Sequence, residues 1–155
     1  MDQYSQPTSQ QNKGMKMSNQ PNVFADQAKF MQACGQTTQD WNENQFNMYL
    51  SLIQEEVAEL FEAVNDNNRT EIFDAILDIV VVTIGAGLSA GFPMAAGWQE
   101  VMASNMSKVD SKTGKVLRRA DGKIMKGESY HPPRLDFVLR QAEEGNDQIQ
   151  PREKA

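Results

Sequence analysis

Apolar residues recur at helical spacing through most of the chain. In VFADQAKFMQAC, Val23, Phe24, Gln27, Phe30, Met31 and Cys34 fall near one face, and Gly35 ends the pattern. NQFNMYLSLIQEEVAELFEAV repeats it with Phe46, Tyr49, Leu50, Ile53, Val57, Leu60, Phe61 and Val64. NDNNR interrupts. Thr70 can then cap a helix opening at Glu71 and running to about Ala90, with Gly91 as its stop. Phe92 leads into a fourth segment, PMAAGWQEVMASNMSK, with Pro93 at its first helical position. The prediction is an all-α, four-helix bundle with little strand. After Lys108 the text changes: VDSKTGKVLRRADGKIMKGESYHPP holds Thr-Gly and Asp-Gly turn signals between short extended runs, which predicts a loop or small hairpin. LDFVLRQA predicts a last short helix. The expected organisation is a disordered tail over 1–22, one domain over 23–140 and a polar tail over 141–155.

Composition narrows the classes. The chain has 155 residues, enough for one domain with a core. Mean hydropathy is -0.59, low for a compact domain, in keeping with polar ends. A net charge of -6 argues against nucleic acid or an anionic membrane as the main partner. The N-terminus lacks the apolar core of a signal peptide. The apolar run Ala75 to Ala90 is short for a membrane span and carries Asp78, so it reads as a buried core helix. One cysteine, Cys34, excludes an intrachain disulfide and a thiolate zinc cage and suits a reducing cytoplasm; on its apolar face it reads as inert core. Met94, Met102 and Met106 read as core packing, and Trp41 and Trp98 as core or interface.

The charges are segregated. Between Phe30 and Ser107 there is one basic residue, Arg69, against eleven acids. From Lys108 to Arg140 nine basic residues face four acids. Glu55, Glu59 and Glu62 share a face of the second helix, flanked by Glu56, and Glu71, Asp74 and Asp78 share a face of the third. A short loop makes these helices antiparallel neighbours, so the acidic faces can meet. A buried carboxylate is costly unless paired. With so few local bases, protonation or external cations must relieve the repulsion. Oxygen donors suit Mg²⁺, with Mn²⁺ as a substitute.

Competing readings exist. Acids at such spacing are most often a solvated helix face, which weakens for Asp74 and Asp78 because apolar residues surround them. A di-iron carboxylate site requires Glu-x-x-His on two helices, whereas the only histidine, His131, precedes two prolines in a loop and reads as structural. A noncatalytic helical oligomer, binding cations or a basic partner through its acidic faces, is the alternative from another class. Carboxylate-held magnesium keeps positions open for water and phosphates, which points to chemistry on a phosphate ester or anhydride.

EEVAELFEA followed by EIFDAILDIVVVTIGAGLSAG resembles the all-α nucleoside triphosphate pyrophosphohydrolases, the MazG-like and phosphoribosyl-ATP pyrophosphohydrolase-like superfamily. Its hallmark, Glu-x-x-Glu then Glu-x-x-Asp, is here Glu56-x-x-Glu59 and Glu71-x-x-Asp74. SNMSKVD, DGKIMKG and HPP look like the tail of a subgroup found in bacteria and phages, and the resemblance spans roughly residues 23 to 135. It implies a hydrolase that splits a nucleoside triphosphate, expected to be a deoxynucleotide, into monophosphate and pyrophosphate, by metal-activated water attack on the α-phosphorus. It implies Glu56, Glu59, Glu71 and Asp74 as metal ligands. Asp78 would replace Glu71 in that set or stand behind it. Either Glu55 or Glu56 would be the general base. Asn105, Lys108, Lys123 and Lys126 would contact nucleotide or phosphates. Assembly as dimers or dimers of dimers is also implied.

Overall fold

The computed structural model describes residues 21–147. Five helices follow in order: α1 (Val23–Ala33), α2 (Glu43–Asn65), α3 (Arg69–Ser89), α4 (Met94–Met106) and α5 (Leu135–Asp147). The antiparallel α2–α3 hairpin is the dominant pairing; α1 lies on α3, α4 touches α3, and α5 packs on α4. Among the described residues no strand forms, and three isolated antiparallel bridges take its place. The predicted all-α class therefore holds. The expected last short helix is α5, and it runs on to Asp147. The expected tails lie mostly outside the described residues, although Asn22 is placed and caps α1 by accepting from the Ala25 N–H.

The core gathers Met31, Tyr49, Val82, Ile84, Ala86 and Leu88. Small residues let α3 approach its neighbours. A Cβ at Gly85 would stand 2.6 Å from Cζ of the Tyr49 ring, and one at Gly87 would strike the Met94 side chain. Ser89 is fully buried; its hydroxyl donates to the Gly85 carbonyl and accepts from Gln45 Nε2, both at 2.7 Å. Gly91 ends α3 as predicted, at φ +69°, where a Cβ would lie 2.7 Å from the Gln39 carbonyl oxygen.

Several local expectations need correction. The cap of α3 is Asn68, whose Oδ1 accepts from the Thr70 and Glu71 N–H groups, so Thr70 lies inside the helix. Asn68 takes the cap because its amide oxygen, one bond farther from Cβ than a threonine hydroxyl, reaches two free donors from the position just before the helix. Pro93 is the N-cap of α4, one position earlier than predicted. Cys34 is exposed, because it caps α1 where the helix leaves the core. Met94 lies against the core, but Met102 and Met106 are exposed, since α5 and the segment before it cover only part of α4. Trp41 and Trp98 keep more than half their surface in solvent in the single chain, stacking obliquely on Phe46 and Phe24, so of the core and interface readings only the first is contradicted.

By length and composition α3 could cross a membrane. Its second half, Val82 to Ser89, is buried apart from Thr83, in keeping with the core-helix expectation. Its first half is covered on one side only: Ala75 is buried, but Phe73, Ile76, Leu77, Val80 and Val81 are exposed, as is Phe61 on the facing helix. An apolar surface of this extent on a small domain marks an interaction face.

The segment after α4 is a narrow ribbon with two successive turns. Val109 bridges Val116 around Gly114, and Arg118 bridges Ile124 around Gly122, both glycines having positive φ. This is the predicted loop or small hairpin.

Candidate functional site

The position of the acids follows from the core. Tyr49 against Gly85 sets the register of the α2–α3 hairpin. Seven residues farther along α2 and seven back along α3, two helical turns on each, stand Glu56 and Asp78. Glu59 and Asp74 follow one turn nearer the connecting loop. The hydrophobic packing that closes the hairpin thereby brings carboxylates of both helices into one electrostatic neighbourhood.

Glu56 reports that neighbourhood. Its side chain is half-buried, and its carboxyl is held above the usual range, first by partial desolvation and then by the charges of Glu59, Asp78, Glu55 and Asp74. Two of those charges lie on its own flank and two come from α3. Asp78 is half-buried, whereas Glu55, Glu59, Glu71 and Asp74 are exposed. Glu71 is absent from the groups that act on Glu56. It occupies the first turn of α3, where a carboxylate suits the helix dipole. Among the described residues no ion pair involves an acid of α2 or α3; the three pairs present use Asp121, Glu100 and Asp136.

This donor set fits a hard divalent cation by chemistry: oxygen only, dense in negative charge, and without internal countercharge. The carboxylates are not gathered to a point. Among the described residues no three acidic, histidine or cysteine groups are close enough to hold an ion. Exposed glutamate side chains reorient at a cost of about 1–2 kcal/mol each in lost rotamer freedom, within reach of a divalent ion's attraction.

The basic candidates sit elsewhere in the chain. Lys108 Nζ donates to Asn105 Oδ1 at 2.8 Å at the end of α4. Lys126 lies on the Tyr130 ring. Lys123 is in the second ribbon turn, its backbone N–H donating to Asp121 Oδ1 at 3.1 Å. The structure thus brings Asn105 and Lys108 together, and Lys126 near them through Tyr130, but separates Lys123. No hydrogen bond or ion pair among the described residues joins the ribbon to the acidic face. Tyr130 was not singled out by the sequence reading; its only sequence signal is its place between basic residues and the His-Pro-Pro run. His131 has the structural role expected of it, through its backbone: its carbonyl accepts from Ser104 Oγ and its N–H donates to Ser107 Oγ. An apolar cavity of about 330 Å³ between α1, α4 and α5, lined by residues such as Phe24, Trp98 and Leu135, has no residue of the acidic array in its wall.

The architecture is thus an all-α hairpin that opposes two carboxylate-bearing helix faces, with a basic ribbon appended. The family model described as phosphoribosyl-ATP pyrophosphohydrolase matches residues 27–105, just over half of the chain, and the chain belongs to that family. An uncharacterised protein of Acanthamoeba polyphaga mimivirus is 50% identical over 48 residues, which cover 31% of this chain and 19% of that protein. The matched part is thus about a fifth of that relative's length.

Proposed function

We propose that the protein is a cytoplasmic nucleoside triphosphate pyrophosphohydrolase that uses Mg²⁺, or Mn²⁺ in its place, to release pyrophosphate from a nucleotide, a deoxynucleotide foremost. The observation that carries this reading is the hairpin itself, which sets Glu56 and Glu59 of α2 beside Asp74 and Asp78 of α3, with no ion pair to an acid of either helix among the described residues. Glu56, Glu59 and Asp74 are the ligands assigned, with Glu71 or Asp78 completing the set. Glu56's partners favour Asp78 as the nearer of the two. A bound divalent ion neutralises phosphate charge and makes water more acidic.

The chain's own groups perform the rest. Glu55 or Glu56 accepts the proton as a water oxygen bonds to the α-phosphorus. The bond from that phosphorus to the bridging oxygen breaks, and pyrophosphate leaves with the electron pair. Asn105, Lys108, Lys123 and Lys126 are assigned to the nucleotide and its outer phosphates, answering charge that the acidic face cannot. The exposed stripe Phe73, Leu77, Val80 and Val81 is assigned to a second copy of the chain, giving a dimer or a dimer of dimers.

The test is pyrophosphate release from the eight common ribo- and deoxynucleoside triphosphates with Mg²⁺ and then Mn²⁺. Product from at least one is expected, and Glu59→Gln is expected to lower turnover by at least about 100-fold with an unchanged far-UV spectrum. No product under any metal condition would overturn the enzyme reading, and full activity in Glu59→Gln would remove that residue from the ligand set.

A further inference from the structure

The end of α4 and residues 129–131 are stitched together by side-chain hydrogen bonds. Ser104 Oγ donates to the His131 carbonyl at 2.8 Å, and the His131 N–H donates to Ser107 Oγ at 3.1 Å. Ser129 Oγ donates to the Ser107 carbonyl at 3.0 Å, and Ser107 Oγ donates to the Ser104 carbonyl at 2.7 Å. Tyr130 lies between two anchored neighbours and is itself half-buried. Its backbone is therefore held on both sides.

Two cations converge on that ring. Lys126 Nζ is 4.4 Å from its centroid and Lys108 Nζ is 6.0 Å. Both are within the range where the ring quadrupole attracts an ammonium group. Lys108 is fixed a second time by its bond to Asn105 Oδ1. The two ammonium groups come from positions eighteen residues apart and would repel without a shared anchor. Lys108 also lines a cavity of about 340 Å³, whose wall includes Lys112, Leu117, Glu128 and Ser129 and, next in sequence to Lys126, Gly127. Asp110, also at its wall, is occupied by the turn it closes, accepting from the Lys112 and Thr113 N–H groups. All of these contacts lie beyond the family-matched segment except those of Ser104 and Asn105, at its last two positions.

We propose that Tyr130 is a positioning residue that assembles Lys108 and Lys126 into a site for a diphosphate group, the outer part of a nucleoside triphosphate. This rests on the pyrophosphohydrolase reading for its place in a reaction, but the binding step is separable from it. The ring holds two mobile ammonium groups where an oxyanion can meet both, which lowers the ordering cost of binding. A phosphate chain entering there adds charge-assisted bonds to ammonium groups that stay on the ring.

The experiment is calorimetric titration with inorganic pyrophosphate in EDTA, so that no divalent ion draws the anion to the acidic face. Wild type is expected to bind, Tyr130→Leu to bind about fivefold to tenfold more weakly, and Tyr130→Phe, which keeps the ring, to bind as wild type. In a Lys108→Gln, Lys126→Gln background, Tyr130→Leu is expected to add nothing. In turnover, Tyr130→Leu should raise KM for the nucleotide with kcat little changed. Unaltered pyrophosphate affinity in Tyr130→Leu, an additive loss in the lysine-free background, or no binding by wild type would each overturn the assignment. If Tyr130→Leu does not fold, the exposed-site variant Lys126→Gln decides: a loss of affinity supports the site and equal affinity overturns it. Nucleotide turnover with unaltered pyrophosphate binding in these variants sinks this assignment alone, and pyrophosphate binding without any turnover sinks the enzymatic reading alone.

Discussion

Replacing Gly85 by alanine tests the contact that sets the site's register. In an exposed helix interior this change is favourable by about 0.5–1 kcal/mol, because alanine loses less conformational freedom on folding. Here the new methyl would stand 2.6 Å from Tyr49 Cζ and 2.7 Å from Cδ1, well inside van der Waals contact. The ring is only 5% exposed, and its hydroxyl donates to Gln36 Oε1 at 2.8 Å, so it has no free space to take. Overpacking of a core costs about 1–3 kcal/mol. Pulling the hydroxyl off its acceptor adds about 0.5–1.5 kcal/mol. The steric terms exceed the propensity gain, leaving a net loss of about 1–3 kcal/mol. For a fold of this size that lowers Tm by roughly 5–15 °C. Differential scanning calorimetry at fixed protein concentration measures it, with Tyr49→Leu as the companion variant. In that background the clash is gone, and Gly85→Ala should be neutral or stabilising. A Tm for Gly85→Ala at or above wild type would refute the packing of Tyr49 on Gly85, and with it the register that places Glu56 opposite Asp78.

Two further outcomes follow from the acidic and apolar faces. Because the Glu56 carboxyl is raised in the folded state, the folded state holds more proton than the unfolded chain, and stability is lost as pH rises through and above the ordinary carboxyl range. Glu56→Gln should therefore raise the Tm of protein in EDTA at pH 7 and flatten its decline as pH rises above the ordinary carboxyl range; a lower Tm at pH 7 would contradict the repulsion assigned to that group. Phe61 and Phe73 are each 65% exposed in the single chain, so serine at both should leave the protomer folded. Sedimentation velocity should show an oligomer for wild type and a 17.4 kDa monomer for the double variant, and monomeric wild type would remove the second copy from the proposal.

Much of this was legible in the sequence for a physical reason. Helical periodicity is a property of a single segment, so α1 to α4 could be placed from Phe46, Tyr49, Ile53 and their like, and Gly91 marked a turn that only glycine tolerates well. The two acidic motifs were equally plain, because residues three and four apart share a face whatever surrounds them. What could not be read was which side of each helix the rest of the chain leaves bare. Cys34, Met102 and Met106 have the composition of core and sit in solvent, since nothing local encodes where α1 leaves the core or where α5 and the ribbon stop covering α4. The Asn68 cap was misjudged by a competition between neighbouring candidates. Tyr130 escaped notice because its importance lies in lysines at positions 108 and 126, and a ring shared by two distant cations leaves no periodic trace.

The helix α3 resembles a beam walled in at one end and backed on one side only at the other. Its own chain encloses the stretch from Val82 onward, whereas Asp74 and Asp78 ride on the half that α2 backs, beside a bare apolar flank. Under the proposed assembly, dilution of the particle would slacken the very arm that carries the oxygen donors, so specific activity would become a function of protein concentration even with substrate and cation in excess.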